Sequence, residues 1–384
     1  MNKRHIGFKD DRFIIEFEYK PALRDQLKLI DGVAYDADSQ RWTMPTGEQP
    51  ARNALKLFAL ANGFELTEAA QQAIDSPPPK KEFDFDFIKI GEAFNEKPPE
   101  LDFVLPGLVA GTVGMLASSG GVGKTNLSTL FGISLVAGLP VAGGIWEPQA
   151  RGKVTILAAE DSTVILRNRL YSIKNWLKKN HSDKFETIQG DLEDGFSIMS
   201  LDGHIPHLIN GQGQVNQEWL QVIERAANGQ RLLILDTFRM FFGGDENSTA
   251  HVSLFIQNLK VIASKTGASI LFTHHINKAA SLNGASLSAE AASGAGAFTT
   301  NVRWQANLAG MTQDQAKAFG FDENEQRQHI CLAIPKANHI APEPIRWMKR
   351  KEGGVLEHIQ LTPNNIVSID KGKNGQRRRG KDAP

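Results

Sequence analysis

The chain has 384 residues, 41% of them apolar and 22% charged, an ordinary globular balance in a chain long enough for two domains. Its 43 Lys and Arg equal its 43 Asp and Glu, so any contact with nucleic acid has to come from local patches. The single cysteine, Cys331, excludes an intrachain disulfide, and the polar start from Met1 to Arg12 lacks a secretory signal, so the expected localisation is cytoplasmic.

From the amino end, Phe13, Ile15 and Phe17 alternate with charged residues, which predicts a strand over 12–18. Pro21 suits the first turn of a helix that carries Leu23, Leu27 and Ile30 on one face. Tyr35 followed by Arg41-Trp42-Thr43-Met44 predicts a hairpin, and short helices near 51–62 and 67–74 close the unit. Ser76-Pro77-Pro78-Pro79-Lys80-Lys81-Glu82 is a proline run flanked by charge, a semi-rigid exposed linker. From Leu101 apolar strands alternate with amphipathic helices. Strands are expected at 112–117, 153–158, 232–235 and 269–272, and helices at 124–137, 164–178, 216–227 and 250–264. That alternation predicts an α/β fold with a parallel sheet covered on both faces. Strand patterns near 301–308, 329–335 and 345–349 would extend the sheet with antiparallel members. The most apolar stretch, Leu130 to Trp146, is broken by Gly132, Gly138, Pro140, Gly143 and Gly144, so a buried helix and turn are expected there and no membrane partner. Lys371 to Pro384 carries six cations and is expected to be disordered. The expected layout is a small α+β domain at 1–76, a linker at 77–100, the α/β domain at 101–362 and a basic tail at 363–384.

Ser118-Ser119-Gly120-Gly121-Val122-Gly123-Lys124-Thr125 lies between the predicted strand at 112–117 and the helix at 124–137. A glycine-rich turn at that place lets backbone N–H groups curl around a polyphosphate, and the helix N-terminus adds partial positive charge. Ser119, Gly120, Gly121, Val122, Gly123, Lys124, Thr125 and Asn126 are therefore the expected nucleotide-binding residues, with ATP and Mg²⁺ as ligands. Lys124 would reach the β- and γ-phosphates, and Thr125 would hold Mg²⁺ through its hydroxyl. Ser118 stands where the pattern has its first glycine, a turn that serine can make.

Three more strand ends carry chemistry. Arg231-Leu232-Leu233-Ile234-Leu235-Asp236 is a buried strand ending in an acid, which beside a phosphate loop would bind the Mg²⁺ shell. Val154 to Ala158 leads to Glu160 and Asp161. Glu160 is the expected base that orients and deprotonates water, with Asp161 supporting the metal or Glu160; Asp161 could also simply cap the next helix, and the two readings are compatible. Leu271-Phe272-Thr273-His274-His275 ends the fourth strand. Neighbouring strand residues point in opposite directions, so one histidine, His275, is expected to contact the γ-phosphate and the other to be structural. Asn301-Val302-Arg303-Trp304 is read as part of a late strand. Arg303 is either a surface ion-pair residue or, in a ring, a cation that reaches the neighbour's γ-phosphate.

Leu235-Asp236-Thr237-Phe238-Arg239, Asp245-Glu246-Asn247, Thr266 to Ile270, His274-His275 and Asn301 to Trp304 together resemble the RepA-type hexameric replicative helicases of plasmids. Ala159-Glu160-Asp161 with Arg167 and Arg169, and Lys336-Ala337-Asn338, are similar too. The resemblance covers about 105–355. It implies a RecA-like core, a homohexameric ring, ATP hydrolysis at subunit interfaces and single-stranded DNA in the channel. It also implies the above roles for Lys124, Thr125, Glu160, Asp236 and His275, with Arg303 acting in trans. Ser293 departs from it, since the family pattern suggests arginine there. Phe13 to Phe17, Tyr19, Leu23, Leu27, Tyr35-Asp36 and Arg41-Trp42 resemble the HARP module of annealing helicases, which implies binding of forked or single-stranded DNA. The alternative is that Tyr35 and Trp42 fill a small core. Lys278, Lys336 and Arg41 are the expected DNA contacts. A RecA-class recombination or repair ATPase, or a DNA-binding scaffold whose ATPase controls assembly, would use the same core. A partition ATPase would need lysine where Ser119 stands.

Overall fold

The structure, a computed structural model, describes residues 4–36, 39–47, 49–75, 87–276, 286–291 and 295–362. The proline run, Lys278, Ser293 and the basic tail lie outside the described residues. The chain divides into two compact units, 1–98 and 99–384.

In the first unit, β1 (His5–Lys9) and β2 (Arg12–Glu16) form a tight antiparallel hairpin. Its two turn residues, Asp10 and Asp11, both have positive φ, as a two-residue turn that follows strand twist requires. After α1 (Pro21–Leu27) come β3 (Ala34–Asp36), β4 (Arg41–Pro45), α2 (Gln49–Asn62), β5 (Glu65–Leu66), α3 (Glu68–Asp75) and a short exposed α4 (Ile90–Asn95). The sheet order is β3-β4-β2-β1-β5. Ile6, Phe13, Ile15, Leu27, Leu55 and Ile74 are buried together between sheet and helices. Tyr35 lies opposite Trp42 in the β3–β4 register, with ring centroids 5.3 Å apart, and is half exposed. Tyr35 therefore does not fill the core, whereas Trp42 is half-buried and packs against it.

The second unit opens with a small ribbon, β6 (Phe103–Leu105) and β7 (Leu108–Val109), followed by β8 (Val113–Ser118) and α5 (Lys124–Ala137). Next are β9 (Val154–Ala158), α6 (Thr163–Asn180), α7 (Phe185–Gly195) and β10 (Phe196–Ser200). Helix α8 (Gln217–Ala227) leads to β11 (Leu232–Asp236), α9 (Phe238–Phe241), α10 (Thr249–Thr266) and β12 (Ser269–His275). After α11 (Ala295–Asn301) come β13 (Trp304–Gly310), β14 (His329–Ala337), β15 (Arg346–Arg350) and β16 (Leu356–Ile359).

Nine strands form one sheet in the order β10-β9-β11-β12-β8-β13-β14-β15-β16. The first six are parallel and β14 to β16 are antiparallel additions. Both faces are covered, which is why β8 and β11 read as unbroken apolar runs and are buried at every residue. Each fully buried Leu or Ile contributes about 1.5–3 kcal/mol, so the strand ends that carry polar groups are held by rigid walls. This is a RecA-like α/β core with a mostly parallel sheet, accompanied by a small α+β amino-terminal unit.

One element differs from expectation. Asn301 to Arg303 are not strand: Asn301 ends α11, Val302 is buried behind it, and β13 starts at Trp304. Trp304 packs on the face of Gly114, where a Cβ would lie 2.8 Å from its ring, and donates to the Pro106 carbonyl at 2.7 Å. No helix of the described residues is long and apolar enough to cross a membrane.

Candidate active site

The parallel strands end on one side of the sheet, and the polar residues gather there. β8 ends at Ser118, the loop runs over 119–123, and α5 starts at Lys124. Gly121 has φ 73° and Gly123 φ 116°, the left-handed region that favours glycine. A Cβ built on Gly120 or Gly121 would meet no atom of the described residues within 4 Å, so the loop is open at both glycines. Ser118 has no positive φ and needs no glycine. Its hydroxyl donates to the Ser119 carbonyl at 2.8 Å and accepts from Lys124 Nζ at 3.2 Å, so the serine helps seat the lysine. Lys124 is buried. Desolvation lowers its ammonium below the ordinary lysine range, and Asp236 and Glu160 pull it back up.

Asp236, 2% exposed, accepts from the Thr273 hydroxyl at 2.6 Å and from the Thr125 hydroxyl. Burial raises its carboxyl above the usual range, although both hydroxyls favour the charged form. A hydroxyl and a buried carboxylate at the mouth of a phosphate cradle are the oxygen donors that Mg²⁺ prefers, so Thr125 and Asp236 fit the ion. The Asp236–Thr237 peptide is cis.

Glu160 and His275 flank Lys124. His275 Nδ1 lies 3.3 Å from Lys124 Nζ, and its Nε2 lies 3.8 Å from Glu160 Oε1. The Thr237 hydroxyl donates to Glu160 Oε1 at 3.1 Å. His275 chiefly, then Thr237 and Lys124, hold the Glu160 carboxyl below its ordinary range against the effect of burial. His274 points the other way. It is 2% exposed, with its ring 4.9 Å from Phe238 and 4.4 Å from Phe298.

The remaining residues singled out in the sequence are spread more widely. Asp161 is in an ion pair with Arg169 at 2.6 Å, a structural use of that carboxylate that competes with a metal role. Asn126 is buried and donates from Nδ2 to the Gly354 carbonyl at 2.8 Å, which ties α5 to the turn before β16. Arg303 is exposed at the amino end of β13, the far end of the sheet from the phosphate loop. Lys336 lies opposite Gln305 on β14, near the same end, and donates to the Thr299 carbonyl. Arg41 is paired with Glu16 at 2.9 Å in the first unit.

Three contributors escaped the sequence reading. Thr273 was a lone hydroxyl inside an apolar strand, a signal that could have been used. Thr237 directly follows the strand acid, which was a weaker one. Arg350 left none: Nη2 donates to the carbonyls of Gly121 at 3.3 Å and Val122 at 3.1 Å, across more than two hundred residues.

The family model of the AAA domain (AAA_25) matches residues 79–281, just over half of the chain. The match holds the phosphate loop, Glu160, Asp236 and His275, while Arg303, Lys336 and Arg350 lie beyond it. A phosphate cradle closed by a buried lysine, with a hydroxyl–carboxylate pair for the cation, is the nucleotide site such a domain needs, and the chain belongs to the AAA_25 family of AAA-domain ATPases.

Proposed function

We propose that this ATPase is a ring-forming DNA helicase of the RepA type, which hydrolyses ATP between subunits and moves along single-stranded DNA in plasmid, phage or mobile-element replication. The observation that carries the reading is the position of Arg303. The β8–β13 register pairs Trp304 with Gly114, whereas the phosphate loop leaves from Ser118. Gly114 and Ser118 are four strand steps apart and Arg303 stands one residue before Trp304, so five steps, about 16 Å at roughly 3.3 Å per residue, separate it from the loop. An exposed arginine so far from its own loop is useless in cis and is free to face a neighbouring subunit. Arg303 and Lys260 both disfavour the charged form of Lys336, after burial, so three cations share this end of the sheet. A neighbour's polyphosphate would relieve their repulsion.

In this reading Glu160 orients and deprotonates the attacking water, Lys124 neutralises the phosphates, His275 senses the γ-phosphate and Arg303 offsets transition-state charge in trans. Mg²⁺, held by Thr125 and Asp236, would supply charge neutralisation between the phosphates. The DNA partner, single-stranded or forked, would meet Lys278, Lys336 and the basic tail in the ring, and the HARP-like amino-terminal unit through Arg41 and its neighbours.

The test mixes subunits. Arg303→Ala and Glu160→Gln proteins should each bind ATP and fail to turn it over. Mixed rings should regain ATPase and unwinding of a forked duplex, because one interface type then has both groups. Mixed rings that form and stay inactive would remove the in-trans role, and a fully active ATPase without unwinding would favour a recombination or assembly ATPase.

A further inference from the structure

We propose that Arg350 is a positioning residue for the phosphate loop: it fixes two loop peptides so that their N–H groups face the polyphosphate. The argument starts from peptide geometry. In a trans peptide the C=O of one residue and the N–H of the next point in opposite directions. The Gly121 carbonyl therefore sets the direction of the Val122 N–H, and the Val122 carbonyl sets that of the Gly123 N–H. Arg350 Nη2 holds both carbonyls, at 3.3 and 3.1 Å. One guanidinium thus turns two successive N–H groups away from itself and into the cradle.

The loop needs such an anchor. Gly121 and Gly123 have φ 73° and 116°, and a Cβ on Gly120 or Gly121 would meet no atom of the described residues within 4 Å, so in 119–123 the side-chain packing on the core comes from Val122, and the glycine peptides on either side of it need a further hold. Glycine is also the residue with most freedom to lose. The anchor itself is rigid. Arg350 ends β15, which pairs with β14 on one side and β16 on the other. Leu356 of β16 is buried and lies 3.4 Å from where a Gly123 Cβ would be. The Asn126–Gly354 bond fastens the same turn to α5. The antiparallel additions at the sheet edge thereby support a loop whose own sequence is mostly glycine.

An alternative is that the hairpin supports the loop as a whole and no single donor matters. Lys351, the next residue, separates the two ideas. It pairs with Glu357 at 2.7 Å and stiffens the hairpin without touching the loop. Binding of fluorescent ADP and ATP, together with steady-state ATPase, would be measured on full-length Arg350→Gln, Arg350→Lys and Lys351→Gln proteins. We expect Arg350→Gln to weaken both nucleotides by a similar factor, roughly tenfold, the loss of charge-assisted hydrogen bonds to a loop that must then order on binding. KM for ATP should rise by about the same factor and kcat should change far less. Arg350→Lys keeps a charged donor nitrogen on a shorter side chain without the planar fork and should recover part of the loss, with an unchanged melting temperature as proof of folding. Lys351→Gln should bind as the parent does. Parent-like binding by Arg350→Gln, an equal loss in Lys351→Gln, or a loss confined to ATP would each overturn the proposal, the last because it would mean direct contact with the γ-phosphate.

Discussion

Lys124 Nζ and His275 Nδ1 face each other at 3.3 Å, joining the first residue of α5 to the last of β12. An ammonium only donates, so Nδ1 is the acceptor, and the ring hydrogen sits on Nε2, 3.8 Å from Glu160 Oε1. The imidazole thus links the phosphate-binding cation to the candidate base.

His275→Ala should therefore lower kcat by about 10²-fold, in the range of a lost positioned acid–base partner, with a smaller effect on ATP binding. Steady-state ATPase beside nucleotide titration checks this. A variant with the parent kcat would reduce His275 to a filler between Lys124 and Glu160.

The pH dependence follows from Glu160. Its carboxyl is held low by His275, then Thr237, so as the ionised base it persists to pH values below the ordinary glutamate range. The acid limb of the kcat profile should lie correspondingly low. Thr237→Val removes the 3.1 Å donor and should move that limb upward. The sign for stability is the same: a depressed carboxyl stabilises the fold above its unfolded pKa, and the contribution is lost as pH falls through the folded value. An acid limb that does not move in Thr237→Val would mean that another group governs it.

Much of this site was legible because its parts are local in sequence. The phosphate loop, the strand acid Asp236 and the paired histidines each announce themselves within eight residues, and buried parallel strands give unbroken apolar runs. What was not legible depends on distant contacts or on competition between local patterns. Val302 and Trp304 alternate as a strand would, yet α11 extends through Asn301 because Val302 packs behind the helix and Trp304 finds Gly114 across the sheet. The ion pair between Asp161 and Arg169, two turns along α6, is likewise a contact that the run Glu160-Asp161 does not announce. β1 was missed because His5 and Gly7 dilute the alternation of Ile6 and Phe8, and only its pairing with β2 and β5 defines it.

Asp236 gives a prediction in which stability and activity part. Burial raises its carboxyl, so when no cation is bound the folded state disfavours the ionised form. That cost appears as pH rises through the unfolded pKa and is complete above the folded one. Asp236→Asn removes the charge, keeps an oxygen for Thr125 and Thr273, and should melt at the same temperature as the parent or higher without nucleotide. Mg²⁺-dependent ATPase should fall at least about 10³-fold, as expected when the cation loses its carboxylate. A marked drop in melting temperature would show that the ionised carboxylate is already paid for by its two hydroxyls.

The amino-terminal unit carries the last prediction. A fragment of residues 1–76 has its own sheet and a core of Phe13, Leu27, Leu55, Phe58 and Ile74, so it should fold alone, with the modest stability of so short a chain. Arg52 lies in that core with no exposed surface. Its Nη2 bonds to Gln49, but Nε and Nη1 are buried without a hydrogen-bond partner among the described residues. An incompletely paired buried cation costs more than an apolar side chain of similar length. Arg52→Met should accordingly raise the fragment's stability by about 1–3 kcal/mol, read from thermal and urea unfolding. If the fragment also serves as the DNA-docking unit proposed above, it should bind a labelled fork at low salt through exposed cations such as Arg41, and lose that binding as salt rises. Arg52→Met should leave that affinity unchanged, since the guanidinium does not reach the surface. A destabilised Arg52→Met fragment would mean that the buried cation is needed to hold α2 on the sheet. A fragment that folds but does not bind the fork would leave this unit a structural or protein-docking module.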